Sequence, residues 1–346
     1  MATPYPQYLP PEWYPQSGVL LTWPHAHSHW RDLLSTIEAT FLDLAAAIAR
    51  YETVVIACYD EGHRHHVRQR LTDRGVPMTK VRLYVAPSND IWTRDHGPLT
   101  VLHGAQPLLL DFQFNGWGGK WPYQLDDALT AALHTQGAYG TTPRQAIELI
   151  LEGGSIEVDG EGTLLTTSQC LLDPLRNPQF DRPALEKLLG AQLGLRRVLW
   201  LDHGHLLGDD TDGHIDTLAR FCDPHTIAYV KCEQPDDPHF APLQAMERHL
   251  REFVDYQGNP YRLVPLPLPA PQFKGSERLP ATYANFLIIN GAVLVPTYGD
   301  PLDKIALERL ADCFPGREII GIHAVPIIQF YGSLHCVTMQ LPMGVL

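Results

Sequence analysis

Six cysteines are spread through the 346-residue sequence, and none forms a CxxC pair; they are Cys58, Cys170, Cys222, Cys232, Cys313 and Cys336. This spacing argues against the common zinc motifs and against a dithiol redox pair. Several of the cysteines lie in apolar, strand-like runs, where a thiol behaves as a small hydrophobic group. We therefore expect reduced cysteines and a cytoplasmic location.

The sequence also lacks the signals of membrane and nucleic-acid proteins. No apolar run approaches the roughly 20 residues that a membrane helix requires. The first residues, Met1–Pro6, lack the basic and apolar blocks of a signal peptide. Lysine and arginine number 26 against 39 acidic residues, for a formal charge of −13. Such a surface repels nucleic acid and anionic lipid and attracts cationic ligands.

Two familiar ligand loops are missing. The glycine-rich segment Asn115–Trp121 contains neither a GxxxxGK[ST] nor a GxGxxG pattern, which argues against a phosphate-binding loop. The acidic segment around Asp212-Gly213 fails as an EF-hand, because positions 1 and 12 of the loop would be Gly208 and Ala219, which offer no side-chain oxygen. The histidine-rich stretches His25–His29 and His63–His66 are more typical of solvated faces than of metal sites.

Short strands alternate with helices along the whole chain. The hydrophobic patterns predict strands at Val19–Trp23, Thr53–Cys58, Val81–Ala86, Leu99–Leu102, Leu108–Phe114, Ile156–Val158, Thr163–Thr167, Val198–Leu201, Thr226–Cys232, Arg262–Leu268 and Ile319–Ile328, with a hairpin at Phe286–Pro296. They predict helices at His29–Tyr51, Asp60–Arg74, Asp126–Gln136, Pro183–Gly190, His239–Tyr256 and Pro301–Cys313. There are too many strands per helix for a doubly wound sheet, so we expect one compact α/β domain over residues 1–346, built from a repeated β-rich unit.

The polar stretch Gly208–Thr217 leads directly into an apolar segment that should be a buried strand. If that strand begins near Gly213, His214 and Asp216 point to the same face of the sheet. An imidazole beside a carboxylate suits proton transfer and cation binding. A capped turn without chemistry is the alternative reading of the same residues.

Three more chemical groups lie where turns meet strands, and loops at strand ends commonly carry function. They are Asp95, Glu152 and Cys336, the last of which follows a glycine-containing turn. A cysteine nucleophile needs a lowered pKa or a partner base, and two carboxylates can hold a planar cation. Alternatively, Asp95 pairs with Arg94, Glu152 caps the following turn, and Cys336 is inert.

These residues belong to segments that resemble the motif set of agmatine deiminases, within the Porphyromonas-type peptidyl-arginine deiminases and the wider guanidine-modifying superfamily. The segments are Trp92–Pro98, Phe114–Trp121, Leu151–Leu172, Asp209–Asp216, Pro280–Asp300, Phe314–Gly321 and Leu334–Cys336. The resemblance extends from about Glu12 to Pro342. One departure is Phe330–Leu334, which carries bulkier residues than the glycine-rich run usual in the family.

The resemblance implies a pentein fold, in which five ββαβ-type units surround a pseudo-fivefold axis as an α/β propeller. It also implies that Cys336 is the nucleophile, that Asp95 and Asp216 bind the guanidinium group, and that His214 moves protons with Glu152 beside it. No metal or organic cofactor is expected, because the charge of the substrate itself lowers the pKa of the thiol.

The expected substrate is agmatine, a small guanidine with an ammonium tail, which would be hydrolysed to N-carbamoylputrescine and ammonia for putrescine biosynthesis. The site loops offer acids (Asp90, Asp209, Asp210 and Asp212) and indoles (Trp92, Trp117 and Trp121) that suit such a tail. We expect Trp92, Trp117 and Asp210 to contact the substrate together with Asp95 and Asp216. A deiminase of arginine or peptidyl-arginine, an amidinotransferase and a polyamine-binding protein are the alternatives, and a homodimer is the expected assembly.

Overall fold

The computed structural model describes residues 7–346, and within them the polypeptide forms six small sheets. In chain order the strands are β1 (Gln16–Thr22), β2 (Thr53–Cys58), β3 (Val81–Val85), β4 (Leu99–His103), β5 (Gln106–Gln113), β6 (Arg144–Ile150), β7 (Ile156–Val158), β8 (Thr163–Thr167), β9 (Arg197–Leu201), β10 (Ala219–Asp223), β11 (Thr226–Lys231), β12 (Arg262–Pro267), β13 (Gln272–Lys274), β14 (Glu277–Leu279), β15 (Leu287–Ile289), β16 (Ala292–Thr297), β17 (Glu318–His323) and β18 (Thr338–Pro342). The segment Met1–Pro6, on which the expectation of no export signal depends, lies outside the described residues.

Helices lie between the strands. They are α1 (Leu34–Ala49), α2 (Glu61–Asp73), α3 (Thr93–His96), α4 (Gly116–Gly119), α5 (Gln124–Asp127), α6 (Leu129–Thr135), α7 (Ser168–Leu171), α8 (Arg182–Leu193), α9 (Phe240–Leu250), α10 (Leu302–Cys313) and α11 (Val325–Ile328). Short 3₁₀ turns occur at Arg31–Leu33, Met78–Lys80, Gly153–Ser155 and Ile215–Thr217. Within residues 7–346, no helix has the length and apolar character needed to cross a membrane.

One pairing pattern recurs in five of the six sheets. An antiparallel pair is followed by a parallel strand, in the orders β18-β1-β2, β4-β5-β6, β7-β8-β9, β10-β11-β12 and β15-β16-β17. A helical crossover joins the two parallel strands in each case, as parallel pairing requires. In the first sheet β18 pairs with β1, so a strand from the end of the chain completes a unit begun near its start. The expectation of a repeated β-rich unit is confirmed at the level of strand pairing.

Local sequence explains the helix boundaries. Helix α2 begins after Asp60, whose carboxylate accepts the backbone N–H of His63 at 2.7 Å. Helix α8 begins after Asp181 in the same way, carries a proline in its first turn and ends at Gly194 in the left-handed conformation. These are standard capping signals, and each side-chain cap contributes about 1 kcal/mol.

The interior is built from apolar faces of these elements. Helix α1 buries Ile37, Phe41, Leu44 and Ile48, which recur at helical spacing and pack in a cluster with β1 and β2. The central strands β2 and β16 are buried over almost their whole length. Replacing Phe41 with alanine would cost about 3–5 kcal/mol by the usual magnitude for buried aromatic residues.

Three sequence-based expectations about secondary structure were wrong. No strand begins near Gly213, because Asp212 and Gly213 have φ values of 66° and 82°, which a strand cannot contain. The strand begins at Ala219, and His214 and Asp216 lie before it, around the 3₁₀ turn Ile215–Thr217. The predicted strand Ile319–Ile328 ends at His323, and its remainder forms helix α11, which has a proline in its first turn. The helix predicted for His239–Tyr256 ends at Leu250.

Candidate active site

Cys336 lies immediately before β18, and only 4% of its surface is exposed. Asn285 fixes its position from the loop before β15. The side-chain oxygen of Asn285 accepts the backbone N–H groups of His335 and Cys336 at 2.9 and 3.2 Å, and its amide nitrogen donates to the Cys336 Sγ at 3.2 Å. A sulfur that accepts an amide N–H is stabilised as a thiolate, so Asn285 favours the reactive form of Cys336.

Asp216 lies close to the thiol. Its Oδ2 atom lies 3.7 Å from the Cys336 Sγ and 2.7 Å from the Nδ1 atom of His335. Its other oxygen, Oδ1, is buried and has no hydrogen-bond partner among the described residues. A buried carboxylate oxygen without a donor is costly, and a bound cationic ligand would satisfy it.

Asp95 lies on the one-turn helix α3 and accepts two donors. The indole N–H of Trp117 and the backbone N–H of Gly154 each donate to it at 3.0 Å, on Oδ2 and Oδ1 respectively. The Nδ1 atom of His214 lies 3.6 Å from Asp95 Oδ1. The alternative pairing of Asp95 with Arg94 is wrong, because the Arg94 guanidinium reaches Glu12 and Gln340 instead.

His214 and Glu152 complete the group. The Nε2 atom of His214 lies 3.9 Å from Glu152 Oε2, and neither ring nitrogen has a hydrogen-bond partner in the described part of the chain. Glu152 does not cap the turn that follows it; instead the Arg176 Nε donates to both of its oxygens, at 2.9 and 3.0 Å. The five predicted chemical groups are therefore in one place, although they come from distant parts of the sequence.

Gly154 allows this close arrangement. A Cβ atom on Gly154 would lie 2.6 Å from His214 Nδ1, 2.9 Å from Asp95 Oδ1 and 3.1 Å from Asp216 Oδ2. Any side chain at this position would push the three polar groups apart. The glycine-rich segment after Glu152 is thus explained by packing against the site.

The surroundings of Cys336 disfavour its thiolate form. Burial, followed by the negative charges of Asp216 and Asp95, raises the pKa of Cys336 well above its usual value. Burial and the neighbouring charges of Asp216 and Glu152 raise the pKa of Asp95 to about 6, although His214 and Trp117 act in the opposite direction. A cation placed between these groups would lower both pKa values.

The pKa values of His214 and Glu152 are shifted in opposite directions. Burial alone would lower the pKa of His214, but the charge of Asp95 and contacts with Cys170 and Glu152 outweigh it and raise the pKa well above its usual value. Burial would raise the pKa of Glu152, but His214 and Arg176 outweigh it and lower the pKa. These opposite shifts favour the protonated form of His214 beside the ionised form of Glu152.

A cleft with an empty volume of about 370 Å³ leads to Cys336. Its lining residues are His29, Asp90, Trp92, Asp95, Trp117, Trp121, Asp210, Thr211, Phe330, Tyr331, Gly332 and Cys336. The described lining thus contains three aspartates and five large aromatic side chains, and neither lysine nor arginine. This composition favours a cationic ligand.

The acids predicted near the substrate tail fall into two groups. Asp90 and Asp210 line the cleft, where Trp30 Nε1 donates to Asp90 at 2.8 Å and Trp121 Nε1 donates to Asp210 at 2.9 Å. Burial raises the pKa of Asp210 to about 6. Asp209 and Asp212, which were also offered as acids of the site loops, do not line the cleft. Asp209 accepts N–H groups of its own loop, and Asp212 binds the ammonium group of Lys120 and the guanidinium group of Arg176.

The unusual segment Phe330–Leu334 forms one wall of the cleft. Gly332 packs so closely against Trp92 that a Cβ atom would lie 2.1 Å from the indole ring. The hairpin formed by β13 and β14 supports the segment, with the Lys274 ammonium 3.8 Å from the centre of the Phe330 ring and the Tyr331 hydroxyl donating to Glu277 at 3.1 Å. The aromatic wall is therefore held in place from outside the cleft.

Two side chains of the site and a neighbouring cysteine are of the types that bind metal ions. Ligand atoms of Glu152, Cys170 and His214 lie within 4.8 Å of one another. However, the Arg176 guanidinium already donates to both oxygens of Glu152. That positive charge opposes a metal ion at the same place.

Comparison with known proteins shows the family of the chain. Residues 8–342 match the model of the Porphyromonas-type peptidyl-arginine deiminases. The chain belongs to this family. The agmatine deiminase of Stutzerimonas stutzeri is 34% identical, with 97% of this chain and 95% of that protein aligned.

Solved structures with similar sequences share the fold of this chain. A provisionally named arginine deiminase from Porphyromonas gingivalis is 47% identical, with a TM-score of 0.91 over 98% of this chain and 99% of that chain. A cysteine-to-serine variant of the C. jejuni agmatine deiminase with substrate bound is 34% identical, with a TM-score of 0.90 over 98% of this chain and 97% of that chain.

Several residues around the site were not predicted from the sequence. Asn285 holds Cys336, Arg176 holds Glu152, and His29 contributes to the cleft. Asn285 lies within one of the motif segments quoted above, so its polar amide in an apolar run was an available signal. Arg176 carried no such signal, because its partners become neighbours only through folding. The stretch His25–His29 was wrongly expected to be a solvated face, since His25 is buried and His29 lines the cleft.

Proposed function

We propose that this protein hydrolyses agmatine to N-carbamoylputrescine and ammonia. The observation that carries the proposal is a cleft lined by carboxylates and aromatic rings that ends at the thiol of Cys336. Relatives named as agmatine deiminases over almost the whole chain support it. The reaction would be a hydrolysis at a C–N bond of the guanidino group.

In this proposal, Asp95 and Asp216 bind the guanidinium group. Oδ1 of Asp216 has no other partner in the described residues, and Asp95 is held in a fixed orientation by Trp117 and Gly154. Two carboxylates on a planar cation form charge-assisted hydrogen bonds and place the guanidinium carbon beside the sulfur. The positive charge also lowers the pKa of Cys336, so substrate binding itself activates the nucleophile.

The thiolate of Cys336 attacks the guanidinium carbon, and a terminal nitrogen leaves as ammonia with a proton supplied by His214. The product of this step is an amidino-thioether on the cysteine. His214, now neutral, takes a proton from water, and the hydroxide displaces the thiolate to give the carbamoyl product. Glu152 stabilises the charged form of His214, and Arg176 holds Glu152 in place.

The tail of the substrate distinguishes agmatine from free arginine. Agmatine ends in an ammonium group near which Asp90 and Asp210 would lie, whereas arginine adds a carboxylate. Two cations lie nearby in the described part of the chain, Lys120 and Lys274, and neither lines the cleft. Lys120 is paired with Asp212, and Lys274 lies over the Phe330 ring and donates to the backbone oxygen of Gln329. An α-carboxylate would therefore enter an acidic cleft without a cationic partner, which favours agmatine.

We further propose that the five recurring pairing units surround a pseudo-fivefold axis, as in a pentein, and that the chain forms one catalytic domain. The recurrence of antiparallel and then parallel pairing supports this arrangement. A homodimer and a cytoplasmic location remain predictions from the sequence.

Two measurements test the function. Mass spectrometry of a rapidly quenched reaction should detect the amidino adduct in the parent and in Cys58→Ala, a matched buried cysteine, but not in Cys336→Ala. The value of kcat/KM should be at least tenfold higher for agmatine than for arginine, and each tenfold step corresponds to about 1.4 kcal/mol of transition-state binding. Ammonia release by Cys336→Ala at the parental rate would refute the mechanism, and a preference for arginine would refute the substrate.

A further inference from the structure

His335, the residue before the nucleophile, lies between two buried carboxylates. Its Nδ1 atom is 2.7 Å from Asp216 Oδ2, and its Nε2 atom is 2.6 Å from Glu12 Oε2. All three side chains are buried, with 0–7% of each residue exposed. His335 also lines a second cavity together with Glu12, separate from the cleft that Cys336 lines.

The two distances decide how many protons the imidazole carries. A neutral imidazole has one N–H and one nitrogen lone pair, so it can donate to only one carboxylate. Its lone pair would then face the other carboxylate at hydrogen-bond distance, which is repulsive. An imidazolium donates at both nitrogens, and distances of 2.6–2.7 Å are typical of such charge-assisted bonds.

The surrounding charges act in both directions. Burial, followed by the guanidinium groups of Arg220 and Arg94, lowers the pKa of His335 below its usual value, although Glu12 and Asp216 act in the opposite direction. The two short contacts with carboxylates are the evidence for a proton on each ring nitrogen. Glu12 Oε2 lies 3.1 Å from Arg220 Nη2 and 3.4 Å from Arg94 Nη2.

Glu157 is the third carboxylate of this group and is bonded to the Arg220 Nε. Burial raises the pKa of Glu157 to about 7, although Arg220, which donates to one of its oxygens, acts in the opposite direction. The backbone N–H of Phe221 donates to the other oxygen. When Glu157 is ionised, three carboxylates face two guanidinium groups. An imidazolium at His335 makes the buried cluster neutral, which is the favourable state at low dielectric.

We propose that His335 is a positioning residue, held by Glu12 as an imidazolium that orients Asp216 and offsets part of its charge at Cys336. By occupying Oδ2 of Asp216, His335 leaves Oδ1 free for the guanidinium group of the substrate. By offsetting the negative charge 3.7 Å from the sulfur, it keeps the thiol easier to ionise. This inference rests on the roles proposed above for Asp216 and Cys336.

Two variants test the contacts at the two ring nitrogens one at a time. His335→Asn places an amide N–H near the position of Nδ1, so Asp216 keeps a neutral donor and loses the neighbouring charge. His335→Gln places its amide near the position of Nε2, so the contact with Glu12 remains and Asp216 loses its donor. The matched control is His225→Gln, which removes a partly exposed histidine that lies 2.8 Å from Asp255.

The first readout is the rate at which iodoacetamide, a neutral reagent, alkylates Cys336 as a function of pH, measured by peptide mass spectrometry. We expect the midpoint of the His335→Asn profile to lie about one pH unit above that of the parent, which makes alkylation about tenfold slower at pH 7. For kcat/KM with agmatine we expect His335→Gln to lose at least tenfold more than His335→Asn, and His225→Gln to behave as the parent. An alkylation profile of His335→Asn that matches the parent would overturn the proposal.

The second readout requires no variant. His335-Cys336 is the only His-Cys pair in the sequence. Uniform ¹³C and ¹⁵N labelling of histidine together with ¹⁵N labelling of cysteine therefore assigns the ring of this residue in the parent, through the carbonyl that precedes the cysteine nitrogen. The ¹⁵N shifts of the ring should be those of a doubly protonated imidazole at pH 7, and shifts of a neutral tautomer would contradict the inference. Neither readout depends on turnover. Shifted alkylation without agmatine hydrolysis would leave the role of His335 intact and refute only the substrate, whereas hydrolysis with an unshifted profile would refute the role of His335.

Discussion

Replacing Arg176 with glutamine should both destabilise the protein and impair the site. The Arg176 side chain is 1% exposed, and besides Glu152 it donates to Asp212 Oδ2 at 2.8 Å and to the backbone oxygen of Thr211 at 3.0 Å. It therefore connects a candidate catalytic carboxylate to the loop that carries Asp210 and His214. Removing one partner of a buried ion pair leaves the other charge uncompensated and costs about 3–5 kcal/mol.

This loss is a large part of the 5–15 kcal/mol by which native proteins are typically stable, so the urea midpoint should fall clearly. The matched control is Arg50→Gln. Arg50 also binds a glutamate, Glu318, at 2.6 Å, but its side chain is 53% exposed. Solvent screens such a pair, so the urea midpoint of this variant should stay at the parental value.

Activity provides the second measurement. Without Arg176 the pKa of Glu152 rises, because the guanidinium group is one of the two groups that lower it. We expect kcat/KM for agmatine to fall about 10–100-fold, as for the loss of a hydrogen bond to a charged group. Arg176→Lys should fall in between, since lysine keeps the charge but cannot donate to three partners in one plane. Parental stability together with parental kcat/KM in Arg176→Gln would refute the reasoning.

Three further predictions follow from single groups. Asp210→Asn should raise KM for agmatine about tenfold or more with little change in kcat. The exposed control Asp236→Asn should match the parent. Equal KM values in the two variants would exclude Asp210 from the tail site. Because the pKa values of Asp95 and Asp210 are both raised to about 6, these carboxylates gain protons below that pH, so KM should rise at least about tenfold per pH unit below 6; a constant KM between pH 5 and 7 would contradict this. Burial raises the pKa of Glu52 from 4.5 to about 7, so the folded state binds its proton more tightly, and stability due to this group falls as pH rises from about 4.5 to 7. Glu52→Gln should therefore be more stable than the parent at pH 8, by up to about 3 kcal/mol, and similar at pH 4.5, as measured by urea unfolding at both pH values.

The sequence predicted those parts of the structure that depend on neighbouring residues. The β-branched run Thr53–Cys58 forms a strand with the predicted bounds, and Asp60 caps helix α2 at its predicted start. These features follow from backbone preferences and short-range hydrogen bonds, which the local sequence specifies. Where the local signal was read incorrectly, as at Gly213, a left-handed backbone interrupted an apparently continuous strand pattern.

The tertiary structure alone decided how the chemical groups meet. Glu12 and His335 are 323 positions apart in the sequence, and no periodic pattern connects them, yet their side chains form one of the shortest contacts near the site. The same is true of Asn285 and Cys336. The sequence determined which side chains were available for the chemistry, because motif loops carry them locally. Their burial, their partners and therefore their pKa values depend on the packing of distant segments, since desolvation and Coulomb interactions act through space and not along the chain.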